Sequence, residues 1–131
     1  ITNCTFTNQC MLNNLQDARI SNNLFEQRVE VKTVSDSTIS DNVLKNQLFM
    51  GSNINLNMWR TTITGNTIND SINMGRITSC VVSNNSMAGV MDIDDILFSQ
   101  ITNNNFSNID SLNIVDTIIT GNTTTGNVYT T

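Results

Sequence analysis

Three carboxylates crowd into one four-residue stretch, Asp92-Ile93-Asp94-Asp95, the densest acidic group in the chain. In an extended strand with Ile93 turned inward, Asp92 and Asp94 both face outward, about 6.5–7 Å apart. That separation falls near the lower end of the range for an inverting glycosidase. There one carboxylic acid protonates the leaving oxygen and one carboxylate activates a water. Two adjacent carboxylates can also contribute to a Ca²⁺ site, although such a site needs about six or more oxygens. The same side chains serve equally as solvated acids on an outer face, and Asp95 follows Arg76 by 19 residues, a spacing that recurs below.

Trp59 is the single tryptophan, and Arg60 follows it directly. With Met58 turned inward, Trp59 faces out. An outward indole is an apolar platform on which a sugar ring can stack, and Arg60, Asn55 and Asn57 supply polar groups beside it. The alternative role for Trp59 is to pack beneath a loop or in a subunit contact.

Other chemistries are excluded by what the chain lacks. With no His, no Ser-His-Asp triad can form, and no Gly-rich phosphate loop is present. Six Lys plus Arg against eleven Asp plus Glu give a net charge of −5. The cations are scattered, so neither nucleic acid nor an anionic membrane surface is an expected partner. Lys32, Arg60 and Arg76 do not gather as a lyase acting on a polyanion would require. No apolar run is long enough to span a bilayer. Cys4, Cys10 and Cys80 are odd in number and lack CxxC spacing, so neither a disulfide framework nor a zinc site is expected, and no metal or cofactor is called for. The N-x-S/T sequences at Asn3, Asn69, Asn84, Asn105 and Asn122 follow from the abundance of these residue types, and glycosylation is not expected.

What positions these residues is a repeat. The pattern hydrophobic–Ser/Thr–x–Asn–x–hydrophobic, or a near variant, begins at Ile1, Ile20, Ile39, Ile63, Val82, Ile101 and Ile119, with intervals of 19, 19, 24, 19, 19 and 18 residues. A fixed period near 20 residues marks a solenoid. The long interval places an insertion between Leu48 and Asn57, next to Trp59, with a loop around Gly51-Ser52-Asn53.

Apolar residues fall in register within each repeat. The opening position is Ile or Val throughout, the sixth runs Phe6, Phe25, Leu44, Ile68, Met87, Phe106, and the fifth before each start runs Leu15, Val34, Met58, Ile77, Ile96, Ile114. Alternating triplets such as Val29-Glu30-Val31 and Met91-Asp92-Ile93 add two more inward columns. Short β-branched runs without a helical stripe predict strands, three per turn. Stacked about 4.8 Å apart, seven turns make an all-β, single parallel β-helix domain over 1–131, roughly 30 Å long. Glu30 then lies about 14 Å from Asp92, too far for either carboxylate geometry.

Asparagine is the commonest polar residue, at 23, while proline is absent. Asn23, Asn42, Asn66, Asn85, Asn104 and Asn122 each follow Asn, Asp or Gly, residues that tolerate left-handed backbone. Stacked at one corner, their amides are expected to form a ladder, which Cys4 interrupts in the first turn. Ser or Thr at the second position of every repeat is expected to form an outward column.

The wording ITGNTIND at Ile63–Asp70 and ITGNT at Ile119–Thr123 resembles the right-handed parallel β-helix repeat of the pectate-lyase-like superfamily, across essentially the whole chain. The resemblance implies a right-handed coil. It spans functions from polysaccharide lyases and hydrolases to bacteriophage tailspikes and adhesin stalks. Family enzymes have more turns and an N-terminal capping helix, so the chain reads as a section of a longer protein. Low charge, abundant Asn, Ser and Thr and free thiols look most like a bacteriophage tail protein at the virion surface, contacting host polysaccharide. The alternatives are a depolymerising glycoside hydrolase and a bacterial adhesin stalk. Trp59, Leu97 and Val115 share one outward column and Val81 and Ile118 the next, an apolar stripe that suits the parallel homotrimer of such tailspikes.

Overall fold

The computed structural model describes residues 1–50, 57–126 and 128–130, and over these the chain is a parallel β-solenoid of about six turns. No helix occurs among the described residues, and every strand pair is parallel. Each turn contributes to three sheets. The first stacks two-residue strands from Thr5–Phe6 to Thr123–Thr124, and the third stacks triplets from Arg19–Ser21 to Ile118–Thr120.

The second sheet carries the residues of interest. In the early turns it has two short legs, such as Val29–Val31 and Val34–Ser35. From the fourth turn these fuse into the seven-residue strands Ile72–Thr78, Met91–Leu97 and Ile109–Val115. Each strand bends at its centre, where Gly75, Asp94 and Leu112 are skipped in the otherwise continuous register. Leu48–Met50 and Asn57–Trp59 pair with the two legs of Ile72–Thr78, so the five extra residues enter between them. The loop expected around Gly51-Ser52-Asn53 lies outside the described residues.

The inward columns are those of the repeat. Ile20, Ile39, Ile63, Val82 and Ile101 are buried in one, and Phe25, Leu44, Ile68, Met87 and Phe106 in another. Phe6 stacks on Phe25 with ring centroids 4.8 Å apart.

Polar ladders hold the corners. The third residue of every repeat is left-handed, from Asn3 at φ 56° to Gly121 at φ 67°. That turn drives the following Asn inward, where its side chain would be unsatisfied without a partner. Nδ2 of Asn42 donates to Oδ1 of Asn66 at 3.0 Å, and Nδ2 of Asn66 to Oδ1 of Asn85 at 2.9 Å. The chain continues through Asn104 to Asn122. Below, the Cys4 amide donates to Oδ1 of Asn23, so the break at Cys4 removes a side chain but not the last bond.

A second ladder runs through the small residues two before each repeat. Backbone N–H groups of Ala18, Cys80 and Ser99 donate to the hydroxyls of Ser37, Ser99 and Thr117 in the next turn. The expected outward Ser/Thr column differs in its lower part, where Ser21 and Ser40 are buried. Among the described residues, no buried side-chain nitrogen or oxygen lacks a partner.

Candidate functional site

The candidate residues lie on the outer side of the second sheet and on the corner that leads to the third. Trp59 ends Asn57–Trp59, a strand paired below with Val34–Ser35 and above with Arg76–Thr78. Met58 is buried and the indole is 37% exposed on the outside. Arg60 turns the corner with φ 45°, and its guanidinium folds down onto Asp36 of the preceding turn, with a 2.8 Å bond from Nη2. That bidentate pair holds the Asp36 carboxyl below the usual range. Asn57, half-buried, lies two residues before Trp59 on the same outward side and in register below Arg76. Asn55 falls outside the described residues.

Asp92 and Asp94 flank the fully buried Ile93, and both are half-buried on the outer side of the strand. Nδ2 of Asn73 in the turn below donates to Asp92 at 2.7 Å. In the turn above, Asp110 stands in register with Asp92. The Asp92 carboxyl is pushed above its ordinary range by partial burial first, then by the nearby charges of Asp110 and Asp94, against the Asn73 hydrogen bond. Asp95 belongs to a different grouping: it accepts from Arg76 at 2.7–2.8 Å. Asp94 sits at the bend, so Asp94 and Asp95 both lie outside the core although adjacent in sequence. The structure thus groups Asp92 with Asp110 and Asp94, and Trp59 with Arg60, at separate places on one face. Among the described residues no group of three or more His, Cys, Asp or Glu is placed to hold a metal ion.

Two residues escaped the sequence reading. Phe98 is 58% exposed and left-handed at φ 50°, two turns above Arg60 on the same corner. For an aromatic residue that conformation costs about 1–2 kcal/mol. The signal was present: residues three before each repeat are Asp17, Asp36, Arg60, Ser79, Phe98 and Asp116, all left-handed, and four are ordinary turn formers. Asp110 escaped because its turn is one residue short. Ile109 occupies the column that the 19-residue spacing would give to position 110.

No protein-family model, curated protein or solved structure gives a match to this chain. What the fold and the face define is a parallel β-solenoid with an exposed aromatic corner and an acidic outer face in its later turns.

Proposed function

We propose that the chain is a rigid structural and receptor-facing section of a viral tail spike or fibre that contacts host-surface polysaccharide through the corner at Trp59 and Arg60. The observation that carries this reading is the exposed indole on a strand paired on both sides, beside an anchored guanidinium. Such a platform loses little conformational entropy when a sugar ring stacks on it. Phe98 extends the aromatic corner along the axis. The test is Trp59 fluorescence, the only indole signal of the chain. Saturating oligosaccharide should quench it, and an unchanged spectrum while binding is measured elsewhere would remove Trp59 from the contact.

The assembly belonging to this reading is a parallel homotrimer. Leu97 and Val115 do follow Trp59 in one column, with Thr78 between, and Val81 and Ile118 share the next with Gln100 between. Ile118, at 55% exposure, favours cover by a second copy.

A depolymerase is the second reading, favoured by the raised affinity of Asp92 for its proton, as a general acid requires. Asp92 is then the acid and Asp94 the base. Asp92→Asn or Asp94→Asn should abolish release of reducing ends while glycan binding persists. Native protein that binds glycan and releases none would end this reading.

A further inference from the structure

Charge is unevenly divided along the axis. Through Arg60 the chain has five cations and five acids, whereas beyond it Arg76 stands alone against six acids, so the net −5 belongs entirely to the later turns. In the early turns three of the five acids are paired: Glu26 with Lys45, Glu30 with Arg28, and Asp36 with Arg60. In the later turns Arg76 takes Asp95. Among the described residues no cation pairs with Asp92, Asp94 or Asp110.

Like charges in register on neighbouring strands oppose folding, and Asp92 over Asp110 is such a pair. Two residues beyond Asp110 on the same strand stands Leu112, at 62% the most exposed large hydrophobic side chain among the described residues. It occupies the bend column above Asp94. An isolated solenoid gains nothing from this combination. Both the stacked carboxylates and the bare leucine are relieved by one kind of occupant.

We propose that this face of the later turns, with Leu112 set among Asp92, Asp94 and Asp110, docks a cationic polypeptide segment that carries Lys or Arg beside aliphatic side chains. The long stem of Lys or Arg lies on Leu112 while its charged end reaches the carboxylates. An Arg guanidinium spans two carboxylates on adjacent turns, which a small cation does not do with comparable geometry. Leu112, aliphatic rather than aromatic, favours polypeptide over sugar, for which aromatic platforms suit better. A second parallel copy on this face would bring acid against acid, and a polyanion would be repelled. The face is therefore distinct in chemistry from the aromatic corner.

The experiment uses the whole chain and a fluorescein-labelled capped hexapeptide of alternating Lys and Leu, followed by polarisation at low salt. Saturable binding is expected that weakens steeply as salt rises, with no binding of the matching Glu–Leu peptide. The double variant Asp92→Asn/Asp110→Asn, and separately Leu112→Ser, should each weaken binding by about tenfold or more while circular dichroism stays unchanged. All three positions are on the outside, and removing the stacked charges relieves repulsion, so loss of fold does not account for the effect. Equal affinity in native and variant proteins would overturn the proposal. So would tighter binding of a chitosan oligosaccharide than of the peptide, which assigns the face to an amino sugar. Self-association abolished by Leu112→Ser without any peptide binding would give the face to a second copy.

Discussion

Replacing Asn66 by Ala should be among the most damaging single changes available in this chain, because Asn66 sits at the centre of the corner ladder and is 1% exposed. Its Oδ1 accepts from both the backbone N–H and the side-chain amide of Asn42 at 3.0 Å. Its Nδ2 donates to Oδ1 of Asn85 and to the carbonyls of Ile39 and Thr64. After truncation the Asn42 amide retains its bond to the Ile20 carbonyl, but the Asn42 backbone N–H has no acceptor. One stranded buried donor costs about 1–3 kcal/mol, and the other lost bonds about 0.5–1.5 kcal/mol each. Allowing for relaxation, the expected loss is about 3–5 kcal/mol, a large part of the roughly 5–15 kcal/mol that stabilises a typical domain. Asn69→Ala, on an exposed turn three residues later, is the control and should change stability by less than about 0.5 kcal/mol. Asn66→Asp separates hydrogen bonding from shape. It keeps the acceptor but sets a buried negative charge against the carbonyls of Ile39 and Thr64. It should be worse than Ala at neutral pH and recover when the carboxyl is protonated at low pH. Urea unfolding followed by far-ultraviolet circular dichroism measures all three. If Asn66→Ala unfolds at the same urea concentration as Asn69→Ala, the ladder is not what holds this corner.

Ile72→Asp, at a fully buried position in the second sheet, should cost more than about 4 kcal/mol and leave little soluble folded protein in a thermal melt. Asp92 has a folded pKa raised above its unfolded value, so its folded state binds the proton more tightly. Its contribution therefore falls as pH rises from the unfolded carboxyl range, about 3.9, through the raised folded value. Asp92→Asn should flatten this part of the stability profile and raise the urea midpoint at pH 7. Asp36 runs the other way: its lowered pKa contributes stability above the unfolded value that is lost as pH falls through the folded one. For assembly, light scattering at tens of micromolar should find a trimer that Val115→Lys dissociates. A stable native monomer would refute the stripe as a copy-to-copy contact.

The fold was legible because each turn must place the same backbone over the last one, so its constraints are written repeatedly. Ile63 and Ile101 read as core because the five other repeats also open with Ile or Val, and Asn66 as a ladder member because five other repeats carry Asn at the same position. The second ladder, through Ser37, Thr61 and Ser99, is marked in the sequence only by the small size of the residues two before each repeat. Small size was legible, but a hydroxyl reaching a carbonyl two residues back depends on the corner's geometry. The left-handed corner at Arg60 and Phe98 was hidden for the opposite reason, since neither residue type favours that conformation. There the fold overrides local preference because Asp17, Asp36, Ser79 and Asp116 have already fixed the turn above and below.

This redundancy explains why the outer face is less legible than the core. An inward residue is constrained by neighbours above, below and across, and a wrong side chain there breaks the stack. An outward residue is constrained only by its two register partners, and Thr78, Leu97 and Val115 succeed one another in one column without disturbing the strands beneath. The uniform scaffold therefore leaves the outside free to vary, and departures from good packing on it carry the information. Three departures stand out: an aromatic residue held left-handed in water, two carboxylates stacked in register, and an exposed leucine two residues beyond the upper carboxylate. None helps the isolated solenoid, and they fall within the fifth and sixth turns. Two of them meet on one pair of strands, Met91–Leu97 and Ile109–Val115, where Asp110 is in register with Asp92 and Leu112 falls opposite Asp94 at the bend. The one-residue shortening is taken up between Phe106 and Ile109, so the inward columns stay in register and the grouping on this face does not depend on the 18-residue interval.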